Sequence, residues 1–389
     1  MTEARIIPRS TAADVETRAL VVATGTFPIA AVSGVVVVAV LGLEHDGLGS
    51  LATLTGIVSA VIAIAVFATG YLRSGATSSG APLRRGRLLD LTALAVAHGA
   101  LCLLGFGLVF ALLQQAFVDV SLSPIPAGVV VGAACATSSY FVYLSAVRVS
   151  SVRVVTTMSA LFVIGLGTSM LTTSDPHWWM RNLSILGVHD DLSSWIFNLM
   201  LVATGLVLMS LAGHLSADLL AGGLTRTDTA TTDAKARSRT RYVGFLILLM
   251  GVLLACVGIF PTSEYFVLHN SVATGFTLAF GGIVFRVPWV VPGLPRSFSI
   301  TGFAFSGIML AAVAAFFVGF FTLTELEAIA FALILSWLYV FARMVDAAAR
   351  DAAADYSSTV SSTARFAARP SPDERPVRRR PIQGSTNSR

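Results

Sequence analysis

The sequence predicts an all-α, polytopic transmembrane helix bundle of about ten spans, and three observations predict it. Hydrophobic residues make up 55% of the 389-residue chain and charged residues only 12%, with a mean hydropathy of +0.79. A soluble domain needs more charge than that to cover its surface. Apolar runs long enough to cross a bilayer, about 20 residues each, recur ten times with short connections between them. Basic residues fall almost wholly into alternate connections. A large soluble catalytic domain is thereby excluded.

The spans follow in order along the chain. The first, residues 19–43, comes after a basic N-terminal segment, 1–18, with Arg5, Arg9 and Arg18. It begins near Leu20 and lacks a small-residue cleavage site, so it reads as a span and not as a secretory signal peptide. The second, 51–72, lies between Glu44-His45-Asp46 and Arg73, and Arg84, Arg85 and Arg87 lead into the third, 91–117. The fourth, 125–147, carries Thr137, Ser138, Ser139, Tyr140, Tyr143 and Ser145. Such hydroxyls either bond to neighbouring helices or line a cavity. Arg148 and Arg153 mark its junction with the fifth, 152–172, and a long polar connection leads to the sixth, 193–214. Arg226, Lys235, Arg237, Arg239 and Arg241 precede the seventh, 241–260, and a second polar connection leads to the eighth, 266–285. A proline-broken, non-spanning segment from Val287 to Pro295, with Trp289 as an interfacial anchor, separates it from the ninth, 300–322, and the tenth is 326–344.

Charge tests this count independently, because Lys and Arg accumulate in cytoplasmic connections. With the N-terminus inside, 25 of the 26 basic residues are cytoplasmic and Arg181 alone is outside. One miscounted helix would swap the sides of every later connection. The acids Glu44, Asp46, Asp119, Asp175, Asp190, Asp191, Glu264, Glu325 and Glu327 lie outside, so the outer face sums to −8 and the inner face to +13. Both termini are expected in the cytoplasm. Beyond Met344 the chain turns Ala/Ser/Arg/Pro-rich, which predicts a disordered cytoplasmic tail over 346–389. Lys235 is the only lysine, a bias typical of GC-rich bacterial coding, and the expected location is a bacterial inner (plasma) membrane.

Little points to catalysis. Cys102, Cys135 and Cys256 sit inside apolar runs as small hydrophobes, with no CxxC or Cys/His metal spacing. No Asp, Glu, Lys or Arg lies near the middle of a span, against the usual design of proton-coupled carriers and pumps. His98, in the inner part of the third span, is the nearest exception, either a packing residue or a relay.

Polar chemistry gathers in the two outer connections. In the first, Pro176 suits the first turn of a short helix and Trp178 with Trp179 suits the headgroup level, so the loop is expected to lie on the outer surface as a lid. Asp191 is placed to cap the sixth span, with Ser194 and Asn198 following at i+3 and i+7 on one inward face. In the second, Thr262 or Ser263 can cap the eighth span, Glu264 suits its first turn, and Tyr265 and His269 lie four apart with Asn270 adjacent. Asp175, His177, Asp190, Asp191, Glu264 and His269 are the candidates for a shared outward-facing pocket, serving as acid–base groups, as metal ligands or as structural ties. No HExxH, GxSxG or paired HxxxH occurs.

His177-Trp-Trp-Met-Arg-Asn-Leu-Ser-Ile-Leu-Gly187 followed by Trp195-Ile-Phe-Asn198, and Gly258-Ile-Phe-Pro261 followed by His269-Asn270 and Ala273, resemble the bacterial domain of unknown function 998 family, within the wider Frag/DRAM/Sfk-like group. The resemblance covers roughly residues 150–345. It implies a six-helix membrane domain, 149–345, preceded by four further helices, 19–148, and a role in lipid handling, membrane organisation or signalling. It transfers no catalytic residue. Three readings follow: a non-enzymatic protein binding a lipid, an amphiphile or a membrane-protein partner in an outer pocket; an intramembrane lipid-modifying enzyme with His269 or His177 as base, oriented by Asp190 or Asp191; and a facilitator with a polar path past Tyr143 and His98. Expected partners are membrane lipids and a membrane protein, with no nucleic acid, cofactor or metal.

Overall fold

The computed structural model describes residues 12–41, 47–74, 85–117, 123–188, 190–226 and 233–367. Among them are ten long α-helices and no strand: α1 (Ala12–Leu41), α2 (Gly47–Arg73), α3 (Arg85–Ala116), α4 (Pro124–Val147), α5 (Ser151–Thr172), α6 (Leu192–Ala221), α7 (Asp233–Ile259), α8 (Thr262–Val290), α9 (Arg296–Phe317) and α10 (Leu323–Ala367). Each is long and apolar enough to cross a membrane. Only helices satisfy their own backbone polar groups without water, which is why apolar runs of this length take this form. Glu44, His45, Asp46, Asp119, His189 and the chain from 368 on lie outside the described residues.

Helix α6 is the hub. It packs on α3, α5, α7 and α10, and two-thirds of its apolar stretch is buried. Helices α1 to α4 pack on one another, and α3 joins them to α5 and α6. Helices α8 and α9 follow α7 around the periphery and α10 closes against α5, α6 and α9. Leucine side chains such as Leu201, Leu208, Leu211 and Leu215 fill the centre, and Phe341 stacks on both Phe298 and Trp337 in the α9–α10 contact. The α6–α7 contact is drawn tight by two glycines. A Cβ added to Gly205 would lie 2.6 Å from the Gly251 carbonyl oxygen, so the backbones touch where side chains would hold them apart.

Helix ends correct the composition-based reading in three places. Helix α10 runs on to Ala367, where disordered chain was expected from 346. Repeated alanines, at 347–349 and 352–354, favour helix, and the preceding span supplies the nucleus that an isolated segment would have to form at a cost. Arg350 adds an ion pair with Asp346 one turn back. Helix α8 carries Pro288 inside its last turns and ends at Val290, so residues 287–290 belong to the helix. The cap of α8 is Pro261, with Thr262 and Ser263 already inside and no side-chain cap bond.

Candidate functional site

The polar connection between α5 and α6 folds into two 3-10 turns, Trp178–Met180 and Leu183–Gly187, the second of which packs on α6, α8 and α10. Asp191 organises its end. Its carboxylate accepts from the Ser194 N–H at 3.0 Å, capping α6, and from the Ser174 N–H at 3.0 Å and Oγ at 2.8 Å, tying the α5 end to the α6 start. Ser194 is buried and its hydroxyl donates back to the Asp191 carbonyl at 3.0 Å. One turn on, the half-buried Asn198 donates through Nδ2 to the Gly187 carbonyl at 3.1 Å. The stripe Asp191, Ser194, Asn198 therefore faces the folded connection and holds it.

His269 is buried, and both ring nitrogens are engaged, Nδ1 with the Phe260 carbonyl at 2.7 Å and Nε2 with the Ser184 hydroxyl at 3.1 Å. A carbonyl only accepts, so Nδ1 carries the proton, and Nε2 pairs with the Ser184 hydroxyl. Glu327 of α10 completes the set, its Oε2 accepting from the Leu183 N–H at 2.6 Å. Sequence reasoning counted Glu327 only as an outer acid. Its position at the edge of an apolar run was the available signal, while the partner 144 residues away was not legible. Beside it, Thr322 and Glu325 form a reciprocal capping box at the start of α10, with Thr322 N–H on Glu325 Oε2 at 2.7 Å and Glu325 N–H on Thr322 Oγ1 at 3.3 Å.

The other candidates make contacts of their own or face outward. Asp175 pairs with Arg181 and accepts the His177 N–H at 2.9 Å, leaving the His177 side chain exposed. Asp190 and Glu264 are exposed. Tyr265 has non-helical backbone angles, φ −125° and ψ 43°, which break the i to i+4 relation with His269 and turn its ring against Phe260. Asn270 is exposed beside Phe266 and Thr274 in a shallow depression on the outside of α8. Trp178 packs partly on the core and Trp179 is 53% exposed. The connection is a clasp that ties α5, α6, α8 and α10 together, its polar atoms bonded to neighbouring backbone and side chains.

An open groove at this end lies on another side of α6. A groove of about 500 Å³ runs between α2 and α6, with α3 and α5 contributing the remaining wall. Ala52 and Ile57 of α2, Leu104 and Gly107 of α3, and Trp195 and Ile196 of α6 line it. The hydroxyls of its threonines are satisfied within the protein: Thr168 donates to the Ile164 carbonyl at 2.7 Å, Thr172 to the Thr168 carbonyl at 2.9 Å and Thr53 to the Gly49 carbonyl at 3.2 Å. Gln114 is the one amide in the wall, near the end of α3. Trp195, 78% exposed, forms part of its wall.

A second cleft of about 440 Å³, between α3, α4 and α5, includes His98, Cys102 and Ser138. His98 is engaged on both sides, Nδ1 with the Leu94 carbonyl at 2.7 Å and Nε2 with the Ser145 hydroxyl at 3.0 Å, and its ring stacks on Phe67. The space around Phe67, His98, Ser145 and Arg153 has no room for a water molecule. At the opposite end of the bundle, Asp90 accepts from Ser210 at 2.7 Å and lies 3.6 Å from His214, and Asp218 accepts from Ser151 at 2.6 Å. Among the described residues no three His, Cys, Asp or Glu side chains gather to hold a metal. Compared with protein families, curated proteins and solved structures, the chain finds no match.

Proposed function

We propose that this integral membrane protein binds a lipid or other amphiphile, and that the ligand's apolar chain lies in the groove between α2 and α6. The observation that carries the reading is the groove itself: about 500 Å³ with an apolar wall, open beside an exposed tryptophan. Pockets of this volume bury most of a small ligand. An apolar surface facing lipid gains little from further burial, so selectivity in such a groove comes from shape and from the groups at its mouth. Outward orientation of this end, a bacterial inner membrane and cytoplasmic termini belong to the same reading and rest on the arginine distribution. The resemblance to the domain of unknown function 998 family supports it on the α5–α10 segment.

The rival readings find less support. A base role for His269 with Asp190 or Asp191 as its orienting group is disfavoured, since Phe260 and Ser184 occupy its two nitrogens. A polar path to the inner face is disfavoured by the filled space beside His98.

Gly107→Phe tests the reading. A Cβ at Gly107 meets only the Thr168 methyl, at 3.7 Å, so a side chain can enter the groove without striking backbone. Lipid or amphiphile retained by the purified protein, counted by native mass spectrometry, should fall several-fold while the melting temperature holds. Equal retention would remove the groove from consideration.

A further inference from the structure

Resting on the groove reading, we infer that its occupant is an ester-linked membrane lipid, and that the Gln114 amide holds the acyl carbonyl where the chain joins the head. Length comes first. Gln114 follows Leu103, at the deep end of the groove, by eleven residues of α3, which is about 16 Å at 1.5 Å per residue. Half of a hydrocarbon core about 30 Å thick is the depth of one leaflet, and the groove has nearly that length. It matches a lipid chain lying in one leaflet, with its shallow end where such chains meet their heads.

Four helices set the level of that end. Gly49 lies two residues after the start of α2 and Gln114 two before the finish of α3, while Thr172 is the last residue of α5 and Leu192 the first of α6. Among the described residues, no charged side chain and no histidine lines the groove, and its threonine hydroxyls are bonded to carbonyls of their own helices. Gln114 differs. It is exposed, and among the described residues its amide neither donates nor accepts a hydrogen bond. Beside hydrocarbon, an unmet amide is costly, so a ligand that supplies an acceptor gains what the protein withholds. Glycine on the facing helix lets the amide lie across the mouth: a Cβ added to Gly49 would stand 2.9 Å from Gln114 Nε2. Two N–H donors without a cation suit a neutral acceptor, and the carbonyl of an acyl ester is the one a lipid carries at this level. A fatty acid carboxylate finds no cation here, and an ether lipid brings no carbonyl.

Dioleoyl and dioleyl phosphatidylcholine, a diester and a diether with matching chains and heads, separate the outcomes. The full chain is reconstituted in vesicles holding equal amounts of the two, extracted in mild detergent and weighed by native mass spectrometry, which tells the bound lipids apart by mass. The diester should be retained about threefold to tenfold over the diether, the size of effect one hydrogen bond produces. Gln114→Leu should bring the ratio to one. Gly49→Ala, which displaces the flexible end of Gln114 without removing it, should lower the ratio too, and carries the test should Gln114→Leu fail to fold. Oleate added to the same vesicles should be retained less than the diester. Equal retention of diester and diether, abolished by Gly107→Phe, would leave the groove standing and overturn the ester contact. A diester preference that survives both Gln114→Leu and Gly49→Ala, or oleate retained above the diester, would overturn it as well. Retention of neither lipid, or retention insensitive to Gly107→Phe, would take down the groove and the ester contact together. Ala52→Phe, entering from the opposite wall, repeats the block should Gly107→Phe fail to fold.

Discussion

Leu183 is buried, and its N–H is held by a carboxylate from the last helix of the chain, Glu327, at 2.6 Å. A donor stranded away from water costs about 1–3 kcal/mol, whereas a swapped acceptor costs less. Glu327→Ala should therefore lower the melting temperature in detergent by several degrees, and Glu327→Gln, which keeps a carbonyl acceptor, by clearly less. Equal losses would show that the charge, and not the acceptor, matters. By the same logic His269→Ala and Asn198→Ala should loosen the clasp and lower stability, with little direct effect on ligand retention. At this scale the sequence reading was half sufficient. Asp191, Ser194 and Asn198 were legible because helical spacing puts them on one face, and His269 was legible as a histidine needing a partner. The partners Gly187, Phe260 and Ser184 are backbone or neutral groups that no spacing rule singles out.

Elements are held by close approach as much as by side-chain packing. In α6 against α7, a Cβ at Gly205 would sit 2.6 Å from the Gly251 oxygen and 2.7 Å from the Ala255 nitrogen, atoms that cannot move without shifting a helix. Gly205→Val should cost roughly 1–3 kcal/mol or more by overpacking and yield less monodisperse protein on size exclusion. Gly107→Ala, which meets only a methyl at 3.7 Å, should leave the elution profile unchanged. Comparing the two variants separates glycines that join helices from the one that opens a groove. The long α10 carries a related lesson. Its 45 residues extend about 68 Å at 1.5 Å per residue, roughly twice the hydrocarbon thickness, so about half of it serves something other than crossing the membrane. Composition alone read that half as tail, because polarity signals the end of a span and says nothing about the end of a helix.

For the whole molecule, the decisive quantity is which end faces which compartment. Single cysteines test it in a chain whose Cys102, Cys135 and Cys256, all within helices, are replaced by serine. A membrane-impermeant maleimide applied to intact cells should modify Asp190→Cys and spare Lys235→Cys until the cells are opened. The reverse pattern would place the groove in the cytoplasmic leaflet. The number of spans, their order and the segregation of arginines were set by the sequence alone. A run of apolar residues either is or is not long enough to cross hydrocarbon, and a guanidinium resists the crossing wherever the chain folds. The whereabouts of the groove, the clasp and the role of Glu327 were decided only in three dimensions. They depend on which faces of α2, α3, α5 and α6 fail to meet and on hydrogen bonds between residues as many as 144 positions apart, and neither property has a local signature.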